Sequence, residues 1–351
     1  MTLTYTYPRV AIAEARAKPR ATNIGSLSRI GVCGTFSKGP TTPTAISTID
    51  EMEAIFGADD VDLTGPKFLM AAMAQGANDF LVVRVTPTGQ DGATQDSDYT
   101  AALDLLANEQ VSIIACAGQS SATIHQALID QAANATAMTG LRVAVLTLDK
   151  GLDRAAAITA KGTLTSDQAA LAYLWQQVDS EGTLWAPDGY LAGVLATNAP
   201  NQSPSNVRML GTLGPERKLS EADLSALAAA NIIPVGLEPQ GGVAALTGTM
   251  LDGSPVSQRR ILDQIEQDLF RAIQWAKSLP MLTDDRPGAI NVQKGLQDQI
   301  DGYLRNLKSL GWVDGFLPTQ ATPDKTNRKW TVLARPQLTA DGDFIDLTVE
   351  Y

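Results

Sequence analysis

The chain has 351 residues, 44% of them hydrophobic and 19% charged, a globular composition with length for roughly two or three domains, which excludes disorder as its main state. Its 27 basic and 38 acidic residues leave a net charge of −11, which argues against a general affinity for bare phosphate or for an anionic membrane. No apolar run approaches the ~20 residues a spanning helix needs, and no secretion signal is evident, so the reading is a soluble protein made in the cytoplasm.

Residues 1–29 read as an extended arm. Thr, Tyr and Ala alternate there, Pro8 and Pro19 interrupt, and Arg9, Arg16, Lys18, Arg20 and Arg29 face a single Glu14, a charge of +4 in an acidic protein. That asymmetry predicts an acidic docking partner.

From Ile30 onward short apolar strands alternate with helical stretches, the pattern of an α/β domain. Residues 29–33 predict a strand stopped by Gly34, and residues 44–46 a second. Thr48 with Glu51 three positions on has capping-box spacing, and Met52, Ile55 and Phe56 supply the apolar face of a helix that Gly57 ends. A helix over 65–75, a strand over 80–85 and a polar surface loop over 87–98 follow. Residues 111–117 and 141–148 read as buried strands around a helix over 122–137. Beyond them the pattern predicts an Ala-rich helix near 168–178, an irregular Gly/Pro/Asn region over 186–215, a helix near 221–230, and strands over 232–235 and 242–249.

The last hundred residues read as a separate unit. A helix over 257–277 carries Ile261, Ile265, Leu269 and Ile273 at four-residue steps, and one over 291–310 carries Val292, Leu296, Ile300, Leu304 and Leu307 before Gly311. Strands are predicted over 329–334 and 344–351. In the second, Ile345, Leu347, Val349 and Tyr351 alternate with Phe344, Asp346, Thr348 and Glu350, so one face expects burial.

Catalytic chemistry is hard to assemble. The single histidine, His125, lies on a predicted helix and reads as a surface or groove residue. One histidine with two separated cysteines, Cys33 and Cys116, cannot build the usual zinc sites, and both cysteines sit in apolar runs as buried thiols. Asp59, Asp60 and Asp62 open like a calcium loop, but Ala71 stands where the bidentate glutamate belongs. Asp91, Asp96 and Asp98 read as a solvated acidic loop. There is no phosphate loop, no dinucleotide fingerprint and no nucleophile elbow, and Ser120 and Ser121 have only His125 to turn to. An α/β hydrolase or transferase therefore remains an alternative without a site. Asn134 and Asn201 match the glycosylation pattern by chance.

The two ends stand out. Asp341, Asp343, Asp346 and Glu350 give the last eleven residues a charge of −4 with no Lys or Arg. A half-apolar terminal strand and an extended arm of opposite charge can pair within one molecule, or between molecules as an open head-to-tail lattice.

Residues spread along the whole chain then match a known family. Tyr7-Pro8-Arg9-Val10 with Ala13-Glu14 resembles the YPGVY-x-E opening of contractile tail sheath proteins of phages and related bacterial injection systems, with Arg9 in place of the usual glycine. Residues 30–40 resemble their GxxGxxxxGP strand and turn, and residues 75–85 the stretch ending in VVRV. Asp188-Gly189 through Ala196 resembles SGxxAGxxAR, with Thr197 replacing the arginine, and Ser203-Pro204-Ser205-Asn206 resembles APAN. The resemblance implies a central α/β domain of subtilisin-like topology without its triad, and a C-terminal α+β domain completed by intersubunit strands from extended arms. The divisions expected are an arm over 1–29, a central domain over 30–255, a C-terminal domain over 256–340 and an arm strand over 341–351. Tyr7, Val10, Arg16, Lys18, Arg20, Phe344, Ile345, Leu347 and Val349 are the expected arm residues. The implied protein uses no cofactor or metal, inserts in no membrane and binds no nucleic acid directly. Its implied partners are its own copies, an inner tail tube, a baseplate and a tail terminator. It would assemble in the host cytoplasm and function in the virion tail or a released injection particle, as stacked hexameric rings that contract to drive the tube through an envelope. A tube or terminator protein is the structural alternative.

Overall fold

In the computed structural model the described residues are 27–60, 62–89, 93–137, 139–238, 241–279, 283, 291–326 and 329–339. The chain divides into two compact units between Asp263 and Gln264.

The first unit is built on one nine-stranded sheet. Its strands are β1 (Ile30–Gly34), β2 (Thr44–Ile46), β3 (Phe80–Arg84), β4 (Ile113–Cys116), β5 (Val143–Thr147), β6 (Ala169–Tyr173), β9 (Arg208–Met209), β11 (Ile233–Leu237) and β12 (Val243–Ala245). They lie in the order β2-β3-β1-β4-β5-β6-β11-β12-β9. The run from β3 to β11 is parallel, while β2, β12 and β9 pair antiparallel at the two ends. A small second sheet joins β7 (Gln176–Gln177), β8 (Leu184–Trp185) and β10 (Gly214–Pro215).

Alternate residues of each central strand point to opposite faces, and each face has its own core. Ile30, Val32, Val82, Ala115, Val145 and Ala172 pack under α1 (Ile49–Phe56), α2 (Thr64–Ala74) and α6 (Pro187–Thr197). Cys33, Val83, Cys116, Leu146, Leu171 and Tyr173 pack under α3 (Asp96–Asp104), α4 (Ala122–Ala133), α5 (Arg154–Lys161) and α7 (Glu221–Ala229). This is the doubly wound arrangement that the strand and helix alternation predicts.

Three expectations are corrected. The Ala-rich segment near 168–178 is not a helix: Ala169–Tyr173 is a central, fully buried strand. Alanine suits it because helices press on both faces, and that packing outweighs alanine's helix preference. The region expected to be irregular contains α6, buried from Pro187 to Leu195. The loop over 87–98 ends in α3, where Asp98 is buried rather than solvated. Its carboxylate accepts from the Thr88 and Gln95 backbone N–H groups at 3.0 and 2.9 Å. The capping box at Thr48 is half realised: Thr48 Oγ1 accepts from the Glu51 N–H, but the Glu51 carboxylate turns to Ser47.

Gly189 and Gly193 explain how α6 comes so close to α2. A Cβ at Gly189 would lie 2.7 Å from the Phe68 carbonyl oxygen, and one at Gly193 2.8 Å from the Ala72 Cα. Hydrogen at these two positions lets the helix backbones touch.

The second unit contains the end of α8 (Val256–Ala272), a 3-10 turn at Gln274–Ser278, α9 (Val292–Ser309), β13 (Val313–Asp324) and β14 (Lys329–Leu338). Asn291 caps α9 by accepting from the Lys294 N–H at 3.0 Å, and Gly311 takes φ +73° just past its end. Val292, Leu296, Ile300, Leu304 and Leu307 are buried as their spacing predicts, together with Tyr303. Among the described residues no helix is long and apolar enough to cross a membrane.

Candidate assembly surfaces

Several buried polar side chains in the first unit hold the fold together. Arg142 is fully buried and has no carboxylate partner in its hydrogen bonds; its guanidinium donates to the carbonyls of Leu106, Glu109, Thr139 and Gly140 at 2.7–3.1 Å. Burial pushes its pKa down to about 10, still charged at neutral pH. It gathers the chain after α3 against the entry to β5.

His125 is a correction. It is buried, and its Nε2 donates to the Thr147 carbonyl at 2.9 Å, while burial holds its pKa below the ordinary value. Ser120 donates to Asp149 and Ser121 to Asp96. Both serines thus spend their hydroxyls on carboxylates of other segments, Asp149 just after β5 and Asp96 at the start of α3, rather than on His125. Cys33 and Cys116 are free, buried and register neighbours on β1 and β4.

Sequence reasoning missed Asp188. It stands at the start of α6, fully buried, and its carboxylate accepts the Gly118 N–H at 2.7 Å and the Gly189 N–H at 2.8 Å. Gly118 has φ +63°, so this bond ties a left-handed turn after β4 to the first turn of a buried helix. Desolvation raises its pKa to about 6. The family-like run beginning at Asp188 is the one signal that could have found it.

The second unit presents a different surface. β13 and β14 form a two-stranded antiparallel ribbon running in register from Val313↔Leu338 to Asp324↔Lys329, with irregularities at Val313/Gly315 and Leu317/Gln320. Helix α9 is fastened to β13: Gln293 Nε2 donates to the Ala321 carbonyl at 2.8 Å, and Asp301 accepts the Thr319 N–H at 2.9 Å. Tyr303 donates to Asp268 at 2.9 Å and ties α9 to the end of α8. Val313, Gly315, Thr319 and Ala321 are accordingly buried. On β14 the inward residues Trp330, Val332, Ala334, Pro336 and Leu338 are only half-buried. The Trp330 indole N–H is buried without a hydrogen-bond partner. Among the described residues each strand of this ribbon has one outer edge with no strand paired to it. A two-stranded sheet of this kind is marginal by itself, and its open edges are templates for strand addition.

Every expected arm residue, Tyr7, Val10, Arg16, Lys18, Arg20, Phe344, Ile345, Leu347 and Val349, lies outside the described residues.

Residues 92–246 match the family model described as the phage tail sheath protein central domain. The contracted helical sheath of the anti-feeding prophage has the same fold, with a TM-score of 0.73 and 17% identity over 95% of each chain. The contracted sheath complex of PVC, an extracellular contractile injection system, gives 0.74 at 17% identity, over 93% of this chain and 95% of that one. A sheath tail protein from Listeria innocua gives 0.69 at 14% identity over 96% of each. No curated protein matches in sequence. The matching family model and these neighbouring structures are those of structural sheath proteins, not of enzymes. The match to the sheath family thus covers residues 92–246, and the chain as a whole shares the fold of the solved sheath proteins.

Proposed function

We propose that this chain polymerises as stacked hexameric rings around an inner tail tube and contracts to drive that tube through a target envelope. The observation that carries the reading is the β13–β14 ribbon, whose two outer edges have no strand paired to them among the described residues and whose β14 face is only half-buried. The strands proposed to fill them are the arms of neighbouring copies, Tyr7 to Arg20 and Phe344 to Tyr351, joined to a C-terminal domain over 256–340 beside a central domain over 30–255. Opposite charges of +4 and −4 at the two ends favour their meeting. Besides its own copies, the partners proposed are the tube, the baseplate and a tail terminator. Assembly takes place in the host cytoplasm before the sheath joins a tail or a released particle. Deletion of residues 1–20 tests this directly: the truncated protein is expected to stay folded and soluble yet form no tubes under electron microscopy, and ordinary helical polymers from it would sink the arm-exchange reading.

A further inference from the structure

The loop over residues 210–213 in the first unit exposes two leucines, Leu210 at 52% and Leu213 at 65%. Loops that expose leucine by accident are loosely held, and this one is not. The Gln75 side-chain amide bonds both backbone groups of Leu210, donating to its carbonyl at 2.8 Å and accepting its N–H at 2.9 Å. Tyr190 donates to the Gly211 carbonyl at 3.0 Å, and the Leu213 N–H reaches the Gln177 carbonyl at 2.7 Å. Gly211 supplies the φ of +78° the turn needs. Both side chains are thus presented outward from a backbone already fixed, so little ordering entropy opposes their burial against a partner. Arg208, exposed at the loop's entry, makes no ion pair among the described residues.

The complementary surface is on the same unit. Helix α1 begins with Ile49, 43% exposed, and presents Asp50, Glu51 and Glu53 with no basic residue in its last turn; Asp59, Asp60 and Asp62 follow, also exposed. That surface carries an aliphatic side chain set among carboxylates, the converse of two leucines beside an arginine.

We propose that the 210–213 loop is a contact between copies of this chain, seating its leucines beside Ile49 and Arg208 among the α1 carboxylates of a second copy. The contact is heterologous: each copy offers a loop to one neighbour and an α1 face to another, which builds rings or helices instead of closed pairs. It rests on the sheath reading, and adds to the arms a second linkage that belongs to the first unit alone.

The test uses the full-length chain, with the concentration at which polymer first forms read by sedimentation and electron microscopy. Leu210→Glu and Leu213→Glu replace exposed side chains and are expected to leave thermal melting unchanged. Each loses the burial of one leucine, so the threshold should rise about tenfold or more. Arg208→Glu should raise it by a smaller factor, and adding Glu53→Arg to the same chain should restore most of the loss, because the swap reverses both partners. Wild-type thresholds from the leucine variants overturn the proposal. So does a charge swap that repairs nothing, and so does a defect confined to decoration of the inner tube. A wild-type chain that never polymerises overturns the sheath reading instead.

Discussion

Asp188 is a carboxylic acid placed where two backbone N–H groups want an anion and the surroundings do not. Burial dominates and raises its pKa to about 6 from an ordinary value near 3.8. A group that holds its proton more tightly when folded stabilises the fold most below its unfolded pKa. That stabilisation is lost as pH rises through the folded value. A rise of this size corresponds to roughly 3 kcal/mol between pH 4 and pH 7. His125, with its pKa lowered by burial, works in the opposite direction, costing stability as pH falls below its ordinary value. The raw pH profile therefore mixes the two, and the comparison of wild type with Asp188→Asn separates them. Chemical denaturation at pH 4.5 and pH 7 should show the wild type losing ground to the variant as pH rises. A difference between the two proteins that is independent of pH would mean the carboxyl titrates normally.

At the scale of elements, the contact between α2 and α6 depends on Gly189 and Gly193, each meeting backbone at under 3 Å if given a Cβ. Gly193→Val should force the helices apart and cost about 1–3 kcal/mol by overpacking, which the variant's higher helix preference offsets only in part. The same change at Gly302, on α9 with nothing within 4 Å, serves as the control for a glycine without a close neighbour. Comparable melting temperatures for the two variants would contradict the close-packing account. The elements legible in the sequence are those whose pattern is set locally. The periodic leucines and isoleucines of α9, the glycine stops at Gly57 and Gly311, and the buried runs of β1, β4 and β5 all show a period or a boundary. Ala169–Tyr173 misleads because alanine's own preference and the packing on a central strand point in opposite directions. Helix α6 is hidden because it is buried on every side, so it has apolar residues and glycines but no polar face to give it a period. β13 is masked in the sequence because Pro318 and Pro323 interrupt it. Proline is tolerated where a strand's N–H groups face away from any partner, so those residues mark it as an edge strand.

Across the whole molecule, four buried polar side chains of the first unit serve the fold. Arg142, His125, Asp98 and Asp188 are satisfied by backbone groups and hold neighbouring turns and elements together. The assembly surfaces are legible unevenly. The charged ends can be read from composition, whereas the 210–213 loop cannot, because its two leucines look like core residues until Gln75, Tyr190 and Gln177 are seen to fix the backbone beneath them.

Salt separates the two kinds of linkage these surfaces propose. Pairing between a +4 arm and a −4 strand, if exposed, is screened over about 8–10 Å at ordinary ionic strength, while backbone ladders and buried leucines are not. Raising salt from low to moderate concentration should therefore slow the start of polymerisation, followed by light scattering, and leave the stability of finished polymer nearly unchanged. Val349→Pro should act the other way round: it leaves every charge in place, so its salt response stays that of the wild type, but removes one N–H from the proposed intersubunit ladder and lowers polymer stability at every salt concentration. A polymer whose assembly rate ignores salt would dismiss the charge pairing and leave the strand pairing standing. A Val349→Pro chain as stable in polymer as the wild type would do the reverse.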